Sequence, residues 1–198
     1  CAVLMSDFIV EQPLIVDRST LERYATCPLQ ARMTDLGYAR HAGKAAVSGE
    51  EVHKAISATV QNYIDTQGGM TPADIREDLE RNLRSSRPDV QPDVIDGMRA
   101  SAWAFASFLK DLHFTNILRF DGGEGNRSGQ LAADIEHLNV RVTAEVDFLH
   151  STASPEVLDL EDWKTGRGRW GMDDVATSFQ FQCYAWLVLE NYPDVQQV

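Results

Sequence analysis

The stretch "VLDLEDWKTGRG" (Val157–Gly168) runs from alternating apolar and acidic residues into a lysine and a glycine-rich turn. Side chains on an extended strand alternate between faces, which sets Leu158, Leu160, Asp162 and Lys164 on one side and Val157, Asp159, Glu161 and Trp163 on the other. A largely apolar stripe therefore ends in an acid and an amine. Two readings are open: a structural ion pair at a strand end, of the kind that contributes ~0–1 kcal/mol at a surface, or two groups kept side by side for chemistry. The flanking sequence separates them.

Just upstream, "VRVTAEVDFLH" (Val140–His150) alternates Val140, Val142, Ala144, Val146 and Phe148 with Arg141, Thr143, Glu145, Asp147 and Leu149, which predicts a strand with Asp147 on its polar face. "STASPE" (151–156) then reads as a hairpin connection. Downstream, "DDVATSFQFQCYAWLVLENY" (173–192) predicts an amphipathic helix with Gln180 and Tyr184 one turn apart, and "NYPDVQQV" (191–198) reads as the start of another strand.

The first half of the chain has a different period. "PLIVDR" (13–18) predicts a short extended segment, and in "STLERYATCPLQARM" (19–33) Ser19 and Glu22 are spaced as a capping box that opens a helix interrupted near Pro28. The same spacing recurs at Ser48 and Glu51, ahead of a helix whose stripe is Val52, Ile56, Val60, Tyr63 and Ile64, with His53 on its flank. Thr71 and Pro72 open a third helix, and "DVIDGMRASAWAFASFLKDLH" (93–113) continues as a longer one in which Trp103, Phe105 and Phe108 read as core. "DGGEGNRSG" (121–129) reads as a turn or loop.

Composition bounds what this pattern can be. With 198 residues, 43% of them apolar, the chain can bury one core, and a single domain over 1–198 is expected, with a helical insertion at about 66–115. No stretch approaches the ~20 apolar residues of a membrane span, and no basic segment precedes an apolar signal run, so a cytoplasmic (intracellular) protein without membrane contact is expected. Cys1, Cys27 and Cys183 are far apart and make no CxxC pair, too few for a disulfide framework or a complete zinc or iron–sulfur site. The net charge of −12 argues against a protein that coats nucleic acid indiscriminately. The charge is segregated, however: acids gather at Asp74, Glu77, Asp78, Glu80, Asp89, Asp93 and Asp96, while Arg18, Arg23, Arg32, Arg40, Lys44 and Lys54, with Arg167 and Arg169 beyond the lysine, could form a basic channel.

Four features line up: His53 on a helix, Asp147 on a strand, Asp162-x-Lys164 on the next strand and Gln180-x-x-x-Tyr184 on a final helix. Singly, each has a plain explanation: a core histidine, an exposed strand carboxylate, an ion pair, a helix-surface pair. Together with "STLERYATCP" (Tyr24, Cys27, Pro28), "GEEVH" (Gly49, His53), "AEVD", "DWKTG" and "QFQCY", in that order over most of the chain, they resemble the RecB-like branch of the PD-(D/E)xK nuclease superfamily. Ala144 stands where that family usually has a glycine. Several relatives use the Cys-Pro cysteine in a four-cysteine iron–sulfur cluster whose other ligands follow the last helix, and without such cysteines up to Val198 the cluster is not supported by this chain.

The resemblance implies an α/β (α+β) fold: a central mixed β-sheet flanked by helices, with the helical N-terminal half layered over the active site. It implies a metal-dependent deoxyribonuclease, an exonuclease on single strands or ends, that hydrolyses phosphodiesters with metal-activated water. The alternative is a catalytically weak nuclease-fold module that binds DNA or protein in a repair or adaptation complex, with a helicase or other protein as partner. The implied metal ligands are His53, Asp147 and Asp162, with Mg²⁺ or Mn²⁺ as cofactor. The implied catalytic residues are Lys164, Asp162, Asp147, Gln180 and Tyr184, and the implied nucleic-acid contacts are Arg167, Arg169 and Tyr24. The chemistry is consistent: carboxylates are hard ligands for these ions, an imidazole shifts preference toward Mn²⁺, and a compact ammonium can offset charge on a pentavalent phosphorus. Glu145 shares a face with Asp147 and could reach the same site or a second metal.

Overall fold

The structure, a computed structural model, describes residues 12–38, 44–86, 92–163 and 171–198. Strand β1 (Leu14–Asp17) runs directly into helix α1 (Arg18–Thr26), and α2 (Pro28–Asp35) follows. The cap of α1 is Asp17, not Ser19: the Asp17 carboxylate accepts from the Thr20 amide at 2.9 Å and the Thr20 hydroxyl at 2.6 Å, and Ser19 donates to the same carboxylate. A carboxylate serves the exposed amides of a first turn well, so the helix begins earlier than the Ser19–Glu22 spacing predicts. The expected interruption is present, because Cys27 is extended and Pro28, which has no amide proton to donate, takes the first position of α2.

Three long helices follow: α3 (Lys44–Asp65), α4 (Pro72–Ser86) and α5 (Pro92–Asp111). Ser48 lies inside α3 rather than capping it, since the strong helix formers Ala45 and Ala46 carry the helix upstream. At the other end, Gln67 and Gly68 adopt positive φ and return amides to Ile64 and Tyr63, closing the helix. Thr71 caps α4 as expected, in a reciprocal pair with Asp74: the Thr71 amide donates to Asp74 at 2.8 Å and the Asp74 amide to Thr71 at 3.2 Å. Ile56, Val60, Tyr63, Ile75, Leu79, Phe105 and Leu109 form the core of this layer, continuous with Phe120 and Phe148 of the sheet region.

The expected mixed α/β fold is realised with its strands in two three-stranded sheets. One, in the order β1-β4-β3, is mixed: β1 runs parallel to β4 (Val140–Glu145), and β3 (Gln130–Ile135) antiparallel to it. The other, β2-β5-β6, is antiparallel and contains β2 (Ile117–Phe120), β5 (Phe148–Ser151) and β6 (Leu158–Glu161). The run Val140–His150, read as one alternating strand, is thus two strands in two sheets. At the break, the Val146 amide donates to Gly129 and the Asp147 carbonyl accepts from Asp121, both at 3.0 Å. A Cβ on Gly129 would come within 2.5 Å of the Val146 carbonyl oxygen, so only glycine allows this approach.

Helices α6 (Met172–Thr177) and α7 (Phe179–Asn191) complete the fold. Tyr184, Leu187 and Val188 of α7 pack on Leu131, Val142, Val146, Leu149 and Leu158 to form a second core, and a single parallel bridge then joins Gln197 to Val157. Among the described residues, no helix is long and apolar enough to cross a membrane.

Burial pushes the Asp17 carboxyl up, but the bonds from Ser19 and Thr20 and the nearby Arg23 charge outweigh it and bring the group down to about 2, from an ordinary 3.8. A depressed carboxyl contributes stability that is present above its unfolded value and lost as pH falls through the folded one. Asp17→Ala should therefore cost about 1 kcal/mol at pH 6, the usual scale of a lost cap. The gap between variant and wild type should narrow as pH falls from 3.8 toward about 2 in paired denaturation curves; a constant gap would remove Asp17 as the cap.

Candidate metal centre

Three elements converge where the chain crosses between sheets. Helix α3 supplies His53, the β4–β5 crossover supplies Asp147, and the turn after β2 supplies Asp121. One donor atom from each lies within 4.8 Å of the others, and all three residues are partly exposed. This is the group of described residues able to share an ion.

The histidine is oriented by the "DWK" segment. His53 Nε2 lies 2.8 Å from the Trp163 carbonyl, and a carbonyl can only accept, so Nε2 carries a proton and donates. Nδ1 then faces Asp147 Oδ1 at 3.4 Å. The second Asp147 oxygen accepts the Trp163 amide at 2.7 Å. The hydrogen bond to Asp147 and that carboxylate's charge raise the His53 pKa despite partial burial, with the Trp163 carbonyl and Asp121 adding to the shift. When Nδ1 is deprotonated, its lone pair is aimed at the group, the state a metal ligand requires.

Asp162 follows β6 and lies outside the three-residue cluster. Its Oδ1 accepts from Gln180 Nε2 at 2.6 Å, and the same amide nitrogen lies 3.0 Å from the Tyr184 hydroxyl. Tyr184 is nearly fully buried, and burial pushes its phenol up; the charges of Asp162 and Asp147 act in the same direction, against the Gln180 bond and the Arg18 guanidinium 5.5 Å from its ring centre. Asp147, Asp162, Gln180 and Tyr184 are therefore electrostatic neighbours. Tyr24 is placed differently: it is exposed on α1, and its hydroxyl donates to Asp35 of α2. Lys164, Arg167 and Arg169 lie outside the described residues, as do Arg40, Asp89 and Cys1. Of the other expected channel cations, Arg18 pairs with Glu22 at 2.6 Å and Lys54 with Glu50 at 2.8 Å.

Asp121 is the residue that sequence reasoning passes over, because "DGG" reads as turn chemistry. The signal available was an acid at the exit of a short apolar strand, followed by two glycines. Gly122 takes φ +73°, with space beside it bounded by Ser57 of α3, and a Cβ on Gly123 would lie 2.2 Å from the Arg127 carbonyl oxygen. The turn is thus pressed between α3 and the crossover, and Asp121 points where His53 and Asp147 meet. Glu145 is set against it: burial first, then the Asp121 charge and carboxyl contact, raise the Glu145 pKa.

An imidazole nitrogen with two carboxylates suits Mn²⁺ or Mg²⁺ in the hardness of its donors, and the surplus of negative charge at Asp121, Glu145 and Asp147 is what a dication offsets. The family model described as the PD-(D/E)XK nuclease superfamily matches residues 18–198. No curated protein and no solved structure matches the chain.

Two outcomes follow from this geometry. A raised histidine stabilises the metal-free fold fully below its unfolded pKa and loses that contribution as pH rises through the folded value. Cation binding at Nδ1 competes with the same proton and should strengthen over that range. Calorimetry should show Mn²⁺ affinity rising with pH with release of a proton, and His53→Gln should flatten both; a pH-independent affinity would take His53 out of the ligand set. Asp121→Asn should weaken Mn²⁺ binding about tenfold or more, on the scale of a lost coordinating or orienting group, and wild-type affinity in that variant would reduce Asp121 to a turn residue.

Proposed function

The chain belongs to the PD-(D/E)XK nuclease superfamily, and from that premise we propose that it is a divalent-metal-dependent deoxyribonuclease of the RecB-like kind, acting on single strands or free ends. The observation that carries the proposal is the meeting of His53, Asp121 and Asp147 beside the Asp162–Gln180–Tyr184 chain. A structural ion pair at the end of β6 would need none of these partners.

His53, Asp121 and Asp147 would hold Mg²⁺ or Mn²⁺, with Asp162 as the further ligand that the D-x-K motif implies. The ion would polarise phosphoryl oxygens and make water nucleophilic near neutral pH. The protein's own groups prepare the site. Trp163 fixes the His53 tautomer that leaves Nδ1 toward the ion. Gln180 restrains the Asp162 carboxylate, and Tyr184, whose hydroxyl accepts from the same Gln180 amide nitrogen and is kept protonated by its raised pKa, keeps its own proton to donate to an incoming phosphate. Lys164, assigned on the motif alone, would present its ammonium to charge developing on the phosphorus oxygens. No covalent enzyme intermediate is required.

The reading of DNA as substrate rests on the family and on Arg167 and Arg169, two cations that follow the lysine closely in the sequence. A helical layer over a cleft favours a flexible single strand, which can bend into a narrow site and stack its bases on aromatic rings.

The test is cleavage of labelled linear single-stranded DNA with Mn²⁺, Mg²⁺, Ca²⁺ or chelator. Activity should be highest with Mn²⁺, lower with Mg²⁺, slight with Ca²⁺ and absent with chelator, and Asp147→Ala combined with Asp162→Ala should lower it by on the order of a hundredfold or more. Cutting by the double variant at the wild-type rate would overturn the site. Arg167→Glu with Arg169→Glu should weaken DNA binding and flatten its salt dependence while metal affinity survives. A covalently closed single-stranded circle should resist an enzyme that needs ends, and rapid cutting of the circle would refute end dependence alone.

A further inference from the structure

One arginine clamps the crossover that carries Asp147. Gly129 lies against the backbones of both acids: its carbonyl accepts the Val146 amide at 3.0 Å, and a Cβ placed on it would come 3.0 Å from the Asp121 amide nitrogen. Arg119, on β2, bonds the carbonyls on either side of that glycine. Its Nη1 donates to Ser128 at 2.9 Å and to Gln130 at 3.2 Å, and its Nε donates to the Tyr192 hydroxyl at 2.8 Å. The guanidinium also lies 5.7 Å from the Tyr192 ring centre, so the clamp is tied to the residue that ends α7.

The residue type is informative. Among the described residues these hydrogen-bond acceptors are all neutral, so what the position uses is the planar fork and not the charge. An ammonium is a compact point charge on a flexible stem and does not reproduce that geometry. With Ser128 and Gln130 held, Gly129 stays pressed against Val146 and Asp121, and the Asp121 amide keeps its 3.0 Å bond to the Asp147 carbonyl. The donor atoms of the two acids then lie within 4.8 Å of each other.

We propose that Arg119 is a positioning residue that sets the spacing of Asp121 and Asp147, and with it the size of cation the centre prefers. The assignment deepens the function proposed above and rests on its reading of these two acids as metal ligands. Mg²⁺ takes oxygen ligands at about 2.0–2.1 Å in a strict octahedron, and Ca²⁺ at about 2.3–2.6 Å with looser geometry. Releasing the two carbonyls lets the Gly129 segment draw back from Val146 and Asp121. The carboxylates separate, and the smaller ion loses more than the larger one.

The experiment measures Mg²⁺ and Ca²⁺ affinities by titration calorimetry, for variants shown by circular dichroism to be folded at the temperature used. Arg119→Lys, which keeps the charge, should weaken Mg²⁺ binding about tenfold or more, on the scale of a lost orienting group. Ca²⁺ should lose less, so the Mg²⁺-to-Ca²⁺ affinity ratio falls. Asn191→Ala is the matched control: it removes a part-buried side chain that bonds a different β3 carbonyl, that of Ala132 at 2.9 Å. Its ratio should stay within about twofold of wild type, as a site sharing no partner with the clamp. Tyr192→Phe removes only the partner of Nε and should shift the ratio the same way by less; it carries the test if Arg119→Lys fails to fold.

A wild-type ratio in folded Arg119→Lys, or in Tyr192→Phe where that variant alone folds, overturns the assignment. Equal losses for both ions do so too, as does a matching fall in Asn191→Ala. The affinities are read without DNA, so the expected change in ratio supports the assignment even in a protein that cleaves none, an outcome that sinks the nuclease reading alone. A wild type that binds neither ion overturns the assignment together with the metal reading.

Discussion

The amide of Asp121 donates to the carbonyl of Asp147 at 3.0 Å, at the point where the chain leaves one sheet for the other. Beside it, the absence of a side chain at Gly129 lets the Val146 amide reach the Gly129 carbonyl. These contacts end β4, start β5 and leave the carboxylate of Asp147 on an irregular stretch between two ladders. A residue inside a regular strand is confined to one face; here the break lets Asp147 accept the Trp163 amide while the β2 turn brings Asp121 alongside. The crossover and the candidate centre are one construction.

Each donor of the group comes from a different part of the fold, and each is buttressed from behind. His53 is carried by α3, whose apolar stripe is sunk in the helical-layer core. Asp147 lies between Val146 and Phe148, both fully buried. Asp162, beside the group rather than in it, is held by Gln180 from α7, which packs on the second core through Tyr184, Leu187 and Val188. The two cores therefore meet at the centre, the helical layer through His53 and Trp163, and the sheet-and-helix half through Gln180 and Tyr184. Packing holds like charges near one another at a cost that the fold bears, and a bound dication would relieve it.

Much of this was legible in the residues. The periodicity of α3 and α7, the Thr71 cap, the break at Pro28 and the mixed α/β order all show in local pattern, because they depend on neighbours three or four positions away. The split of Val140–His150 did not show, since alternation continues unbroken through Val146 and Phe148 while the pairing partner changes; that depends on Gly129, seventeen residues upstream of Val146 and visible only as one glycine in a loop. Asp121 was hidden for the same reason. Its role follows from a long-range approach between a turn and a crossover, and in sequence a D-G-G turn is the same whether its acid faces water or a histidine. The start of α1 was misplaced because Ser19 and Asp17 are both good caps, and only the path out of β1 decides which carboxyl or hydroxyl meets the Thr20 amide.

The central claim is that His53, Asp121 and Asp147 share one divalent ion. Crystals grown with Mn²⁺ and measured on both sides of the manganese absorption edge test it most directly. The account predicts an anomalous peak within bonding distance of His53 Nδ1 and of an oxygen from each of Asp121 and Asp147, with His53 Nε2 still donating to the Trp163 carbonyl. A peak that avoids His53 and Asp121, or none at saturating Mn²⁺, would contradict it.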